Sequence, residues 1–230
     1  MKVTLIAALS LPAALLGCIT IPVIPPPAPF SPAPPVAQLE ESRGEVGLTT
    51  GFGFMTSPSA RYTWLRDDLP WLAVTVGAHQ GFLFPVPNNA YLGGGATLWL
   101  RPAGAPTDGV RFAFGPGAQL SLGDLLSVAS DLPGVGADFN AQVAWRWRGR
   151  HLLSVETSFG YATHLRNYYQ VTDRTVYQSV PLYSQDLQVR YDLLGEQVGG
   201  FVGVGAQLLN GDLSGYSLVP LPTVSAGVSW

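Results

Sequence analysis

The chain has 230 residues, a net charge of −3 and a mean hydropathy of +0.23, and only 12% of its residues are charged, about half the share of an ordinary soluble domain. A water-exposed surface depends on Lys, Glu, Arg and Asp, yet Lys2 is the sole lysine, which argues against a soluble exterior. There is no basic stripe of the kind that binds nucleic acid, and beyond the N-terminus no apolar run is long enough for a spanning helix, so a closed β-barrel is the membrane-compatible fold that remains.

In chain order, Met1-Lys2 forms a short positive start and Val3 to Leu16 an apolar stretch, the pattern of a secretory signal rather than a membrane span. It ends in Leu15-Leu16-Gly17-Cys18, which resembles the lipobox of bacterial lipoproteins. The resemblance implies cleavage after residue 17 and acylation of Cys18, the only cysteine. Ile19, in place of an aspartate, implies sorting to the outer membrane. Several acyl chains hold a protein to a bilayer where one does not. Residues 21–35, IPVIPPPAPFSPAPP, can form neither helix nor ladder and read as a polyproline-II spacer between anchor and barrel. Docking of this run on a proline-recognising partner is the alternative. The organisation expected is therefore a signal at 1–17, a lipidated cysteine and proline-rich linker at 18–43, and a barrel at 44–230.

From Glu45 onward the dominant period is two. Residues 139–148 set Phe139, Ala141, Val143, Trp145 and Trp147 against Asn140, Gln142, Ala144, Arg146 and Arg148. Such alternation marks half-apolar strands of membrane-spanning length. The other face is mostly Gly, Ser, Thr and Gln, too sparsely charged for a watery exterior, so the apolar face is expected to point outward. The expected class is all-β, an antiparallel up-and-down transmembrane barrel. Its ten strands fall near 45–55, 60–66, 71–82, 90–101, 110–122, 139–148, 152–163, 182–193, 201–209 and 222–230, with eight strands as the alternative. Mostly short connections (RDDLP, RPAGAPTDG, RGR, LGEQVGG) alternate with a mostly longer set that includes residues 123–138, 164–181 and 210–221. Outer-membrane barrels keep short turns in the periplasm, which puts both termini there.

Val224, Ala226, Val228 and Trp230 share one face, and the chain stops on the aromatic. This resembles the assembly signal on the last strand of bacterial outer-membrane proteins. With the lipobox, it implies outer-membrane lipids and the lipoprotein-sorting and barrel-assembly machineries as partners. Depth then places Trp64, Trp145, Trp147, Tyr191 and Trp230 at the periplasmic rim of the lipid face. Phe52, Phe54, Phe82, Phe84, Phe139, Phe159 and Tyr161 fall at the outer rim.

Parity turns Glu45, Arg101, Arg111, Arg146, Arg148, Glu156, Arg190 and Asp192 inward, an excess of arginine. Matching the faces of the sixth and seventh strands sets Arg146 opposite Ser154 and one diagonal step from Glu156. Such a set is either a hydrogen-bonded network filling a narrow barrel or the lining of a narrow pore with a preference for anions. A loop-based receptor or adhesin is the alternative, with Tyr168, Tyr169 and Tyr177 in residues 164–181 as amphipathic recognition groups. A hydrolase finds least support. The acidic pair Asp67-Asp68 lies in a periplasmic turn, and His151 and His164 sit at opposite ends of one strand. No motif requires a metal or cofactor, and the ligand is not readable.

Overall fold

The stretches of period-two alternation become ten strands in the computed structural model, which describes residues 32–51, 55–83, 90–124, 131–169, 175–211 and 219–230. They are β1 (Arg43–Gly51), β2 (Met55–Arg66), β3 (Leu69–Leu83), β4 (Ala90–Leu100), β5 (Gly109–Asp124), β6 (Asp131–Trp147), β7 (His151–Tyr169), β8 (Thr175–Leu193), β9 (Gly199–Gly211) and β10 (Val219–Ser229). Each pairs antiparallel with its sequence neighbours, and β1 pairs with β10 to close the barrel. Closure leaves no sheet edge with unpaired backbone groups, which a lipid environment demands. The seam runs from Glu45 opposite Ser229 to Gly51 opposite Thr223. It is extended at the rim by reciprocal backbone bonds between Gly44 and Trp230, of 2.9 and 3.0 Å. The Trp230 ring covers Gly44 so closely that a Cβ there would stand 2.8 Å from it.

The barrel is inside-out relative to a soluble protein. Val46, Leu48, Trp64, Phe112, Phe139, Phe159, Val202 and Val224 are exposed, while Thr49, Thr63, Gln142, Ser154, Gln188, Gln207 and Ser229 are buried. An apolar belt this continuous is stable only against hydrocarbon. At the end that holds the start of β1 and the end of β10, Trp145, Trp147, His151 and Tyr191 form an outward aromatic cluster. His151 stacks on Trp147 at 5.4 Å and its Nδ1 lies 2.7 Å from the Tyr191 hydroxyl. Trp64 and Trp230 are also exposed at this rim, and Phe139, Phe159 and Tyr161 face outward nearer the other end.

Several boundaries differ from expectation. β2 has 12 residues rather than a short stub, and β6 begins at Asp131 inside the loop expected at 123–138. β7 and β8 have 19 residues each and continue as a paired ladder through most of residues 164–181. Tyr168 stands opposite Val176, Tyr169 opposite Thr175 and Tyr177 opposite Asn167, so these tyrosines belong to a strand hairpin rather than a loop. A strand that has left the bilayer needs no apolar face, so pairing outlasts the alternation by which it was recognised. The loops expected at 123–138 and 164–181 are shorter than expected as a result, and residues 52–54, 84–89, 125–130, 170–174 and 212–218 lie outside the described residues. The signal, Cys18, the first part of the proline run, Phe52, Phe54 and Phe84 also lie outside them, as does the side chain of Phe82.

Candidate functional site: a lumen occupied by the chain itself

The lumen half nearest the start of β1 and the end of β10 is occupied by residues 32–39, with residues 40–42 joining them to β1 at the rim. Val36, Ala37 and Gln38 form one 3-10 turn, each with no exposure. Val36 and Ala37 pack with Ala33 against Ala73, Trp99, Ala113 and Ala144. Those inward alanines are small enough to admit a second backbone. Trp99 donates its indole N–H to Thr75 Oγ1 at 3.1 Å, so the largest ring in the lumen is fixed where the segment packs.

Polar wall groups satisfy the backbone that this inner segment carries. Gln142 Nε2 donates to the Pro34 carbonyl at 2.9 Å, and Arg101 Nη2 to the Leu39 carbonyl at 2.9 Å. Gln38 Nε2 donates outward to the Gly109 carbonyl at 2.8 Å. Three prolines in residues 32–35 leave few N–H groups to satisfy. The Ala33 N–H donates to Glu156 Oε2 at 2.8 Å. On its other side the same peptide group offers the Pro32 carbonyl to Arg190 Nη1, at 3.0 Å, and to Arg61 Nη1. One peptide group is thus held across the lumen by a carboxylate at one end and two guanidiniums at the other. Charge-assisted bonds of this kind are about twice as strong as neutral ones.

The arginines are themselves paired. Arg190 makes a bidentate pair with Asp192, at 2.8 and 2.7 Å, and meets Glu45 at 2.7 and 3.2 Å. Its guanidinium carbon stands 3.8 Å from the centre of the Phe201 ring, and Arg190 and Asp192 have no exposure. Arg61 lies 3.6 Å from Glu45, and Arg43 donates to Ser229 Oγ. Arg101, just past the end of β4, is pushed below the ordinary guanidinium range by burial and, secondarily, by Arg111.

Not every residue expected in this network belongs to it. Arg148 is a correction: β6 ends at Trp147, and Arg148 (φ 52°) and Gly149 (φ 67°) form a left-handed turn that leaves Arg148 exposed. Arg111 keeps its inward parity but reaches the Gly104 and Ala105 carbonyls of the neighbouring turn, at 3.2 and 2.6 Å. Arg146 does not meet Glu156. It binds the Gly149 carbonyl, at 3.1 and 2.7 Å, and Glu40. Trp147 pairs with His151, which centres the turn on Gly149, so Arg146 faces Leu152 and Glu156 faces Gln142. Of the stretch expected as a spacer, residues 32–35 lie inside the barrel with Val36 to Leu39, while residues 21–31 lie outside the described residues. Arg61, Asp138 and Asp186 went unrecognised. Asp138 fell in an expected loop, although Asp186 shares the parity of Arg190 and was legible on that ground.

Beyond the Pro32–Ala33 peptide, toward the far end, the lumen holds a cavity of about 70 Å³ lined by Pro32, Ala33, Gln119, Asp138, Glu156 and Asp186, among others. Asp138 accepts from Gln119 Nε2 and from Asn140 Nδ2, the latter at 2.9 Å. Among the described residues, inward arginines below and around this space (Arg43, Arg61, Arg101, Arg111, Arg146, Arg190) outnumber the inward acids (Glu45, Asp138, Glu156, Asp186, Asp192) by one. No group of three His, Cys, Asp or Glu among the described residues could hold a metal ion.

The chain matches no protein-family profile and no curated protein. Solved structures that resemble it include a KdgM porin, 10% identical with a TM-score of 0.39 over 82% of this chain and 98% of that one. The β domain of the Bordetella autotransporter BrkA is 10% identical with a TM-score of 0.37, over 82% and 97%. The N-terminal β-barrel domain of Pseudomonas aeruginosa OprF is 12% identical with a TM-score of 0.34, over 82% and 94%. At these values the likeness says nothing of activity, and the barrel rests on its own strand pairing.

Proposed function

We propose that this chain is a non-enzymatic outer-membrane barrel of porin-like architecture whose passage is closed by its own residues 32–39. The observation that carries this reading is the Pro32–Ala33 peptide, held across the lumen by Glu156, Arg61 and Arg190. Wall side chains alone fill small barrels, but here inward alanines and glycines leave room that the inner segment takes up. Location in the outer membrane is supported by the apolar exterior. Acylation at Cys18, and an assembly role for Val224, Ala226, Val228 and Trp230 on the outer face of β10, belong to the same reading on the strength of the sequence patterns.

The anion preference expected from excess arginine finds little support, because inward arginines outnumber inward acids by only one and Arg190 and Arg61 are already paired with Glu45 and Asp192. A second reading, surface recognition, draws on the β7–β8 hairpin that carries Tyr168, Tyr169 and Tyr177, whose strands outreach the 9 residues of β1.

Conductance across a planar bilayer tests the proposal. The full chain should show no steady current, while a variant lacking residues 32–39 conducts with weak selectivity. Val36→Asp, which cannot seat its carboxylate against Ala113 and Ala144, should produce intermittent openings. Steady current through the intact chain, or no gain in either variant that retains heat-modifiable migration, would sink it. Strong anion selectivity in the deletion variant would restore the arginine-lined pore.

A further inference from the structure

We infer that the cavity beside the Pro32–Ala33 peptide is a binding site for a small primary ammonium ion, held by acceptors on β5, β6, β7 and β8. The inference takes from the closed-barrel reading only the place of Pro32 and Ala33 in the lumen.

Inward arginines and acids nearly balance over the whole lumen, but they are not evenly mixed. Glu45 and Asp192 hold Arg190, while Arg61 stands 3.6 Å from Glu45 and donates to the Pro32 carbonyl. The lining of the cavity, by contrast, carries three carboxylates, Asp138, Glu156 and Asp186, with Arg61 as its guanidinium. Strand pairing gathers these acids on neighbouring strands. Ser158 on β7 pairs with Asn140 on β6 and with Asp186 on β8; Glu156 is two residues along β7 from Ser158, and Asp138 two along β6 from Asn140. Residues two apart share a face, so all of them turn into the lumen. Buried carboxylates in such excess call for positive charge.

The hydrogen bonds around the cavity have the same polarity. Gln119 Nε2 and Asn140 Nδ2 both donate to Asp138, Ser158 Oγ donates to Asp186 Oδ2 at 3.5 Å, and the Trp99 indole donates to Thr75. Two lining atoms are buried without a hydrogen-bond partner among the described residues, Asp186 Oδ1 and Gln119 Oε1, and both are acceptors. Asp186 is only 6% exposed, so its second oxygen depends on what the cavity holds. The Gln119 amide is fixed in this sense, because a carboxylate such as Asp138 can only accept.

Negative charge and spare acceptors together select a cation that donates hydrogen bonds. An ammonium group has three N–H donors and no acceptor. A metal ion held directly needs several oxygens converging on one point, and no group of three His, Cys, Asp or Glu among the described residues supplies that. The Trp99 ring, with its N–H given to Thr75, adds an aromatic surface of the kind that attracts cations. The volume of about 70 Å³ is room for about five water molecules at roughly 10–15 Å³ each. That limits the ligand to an ammonium group on a short alkyl chain.

The test is isothermal titration of the full chain, refolded in detergent, with methylammonium chloride at constant ionic strength. Saturable binding is expected, with none for sodium or for tetramethylammonium, which carries the charge without an N–H. Asp186→Asn should weaken binding about tenfold or more, as loss of one charge-assisted hydrogen bond implies, with heat-modifiable migration retained. If that variant does not assemble, Gln119→Met removes the other spare acceptor and should weaken binding about fivefold. No saturable binding, equal binding of sodium or tetramethylammonium, or undiminished binding by a variant that migrates as a barrel would each overturn the inference. Conductance of the same preparation keeps the two readings apart. A silent chain that fails to bind the amine removes this inference alone, and a conducting chain that binds it removes the closure alone.

Discussion

The two halves of the lumen have the same wall and opposite interiors. Toward the termini, arginines and carboxylates are paired at 2.7–3.2 Å around a buried segment of the chain. Toward the far end, Asp138, Glu156 and Asp186 border open space. Inward charge by itself therefore does not define a pore lining. A guanidinium that holds carboxylates and a backbone carbonyl at once, as Arg190 does, is committed to those partners rather than available to line a path for ions.

The comparison breaks most sharply at Arg190. Arg190→Met leaves Glu45 and Asp192 buried without their main partner, and unfolding in detergent should show a loss of about 3–5 kcal/mol. Asp186→Asn, in the open half, should change stability far less. Equal losses in the two variants would mean that the halves do not differ as described.

Glu156 stands at the boundary between them. Glu156→Gln keeps an acceptor for the Ala33 N–H but removes its charge, which should cost about 1–2 kcal/mol. In a bilayer the same variant should flicker open where the native chain stays closed. A silent Glu156→Gln together with a conducting Val36→Asp would place the closure in apolar packing rather than in the clamp.

The smallest effect is expected at the rim. Arg146 pairs with Glu40, a largely exposed carboxylate, and with the Gly149 carbonyl. Arg146→Ala should therefore cost about 1 kcal/mol, read from the same unfolding curves, and should leave conductance unchanged. A loss as large as that of Arg190→Met would reinstate a buried role for Arg146.

Ten strands, their outward faces and the inward placement of Glu45, Arg190 and Asp192 were legible in the sequence, because side chains alternate every second residue and lipid sorts the two faces. The register between β6 and β7 was not. It depends on whether the hairpin turns on Gly149 or Arg150, and a shift of two residues along one strand moves Arg146 away from Glu156 without changing any face. The far extensions of β7 and β8 were hidden because strands outside the bilayer lose the hydropathy signal while keeping their ladder. Least legible was the inner segment. Its proline content describes a chain with few local partners, which suits a solvated spacer and a lumen filling equally well. The partners that decide between them, Arg61, Gln142, Glu156 and Arg190, lie 29 to 158 residues away in sequence. They meet the segment only in the closed barrel, so local pattern determined the wall and tertiary structure alone determined what the wall encloses.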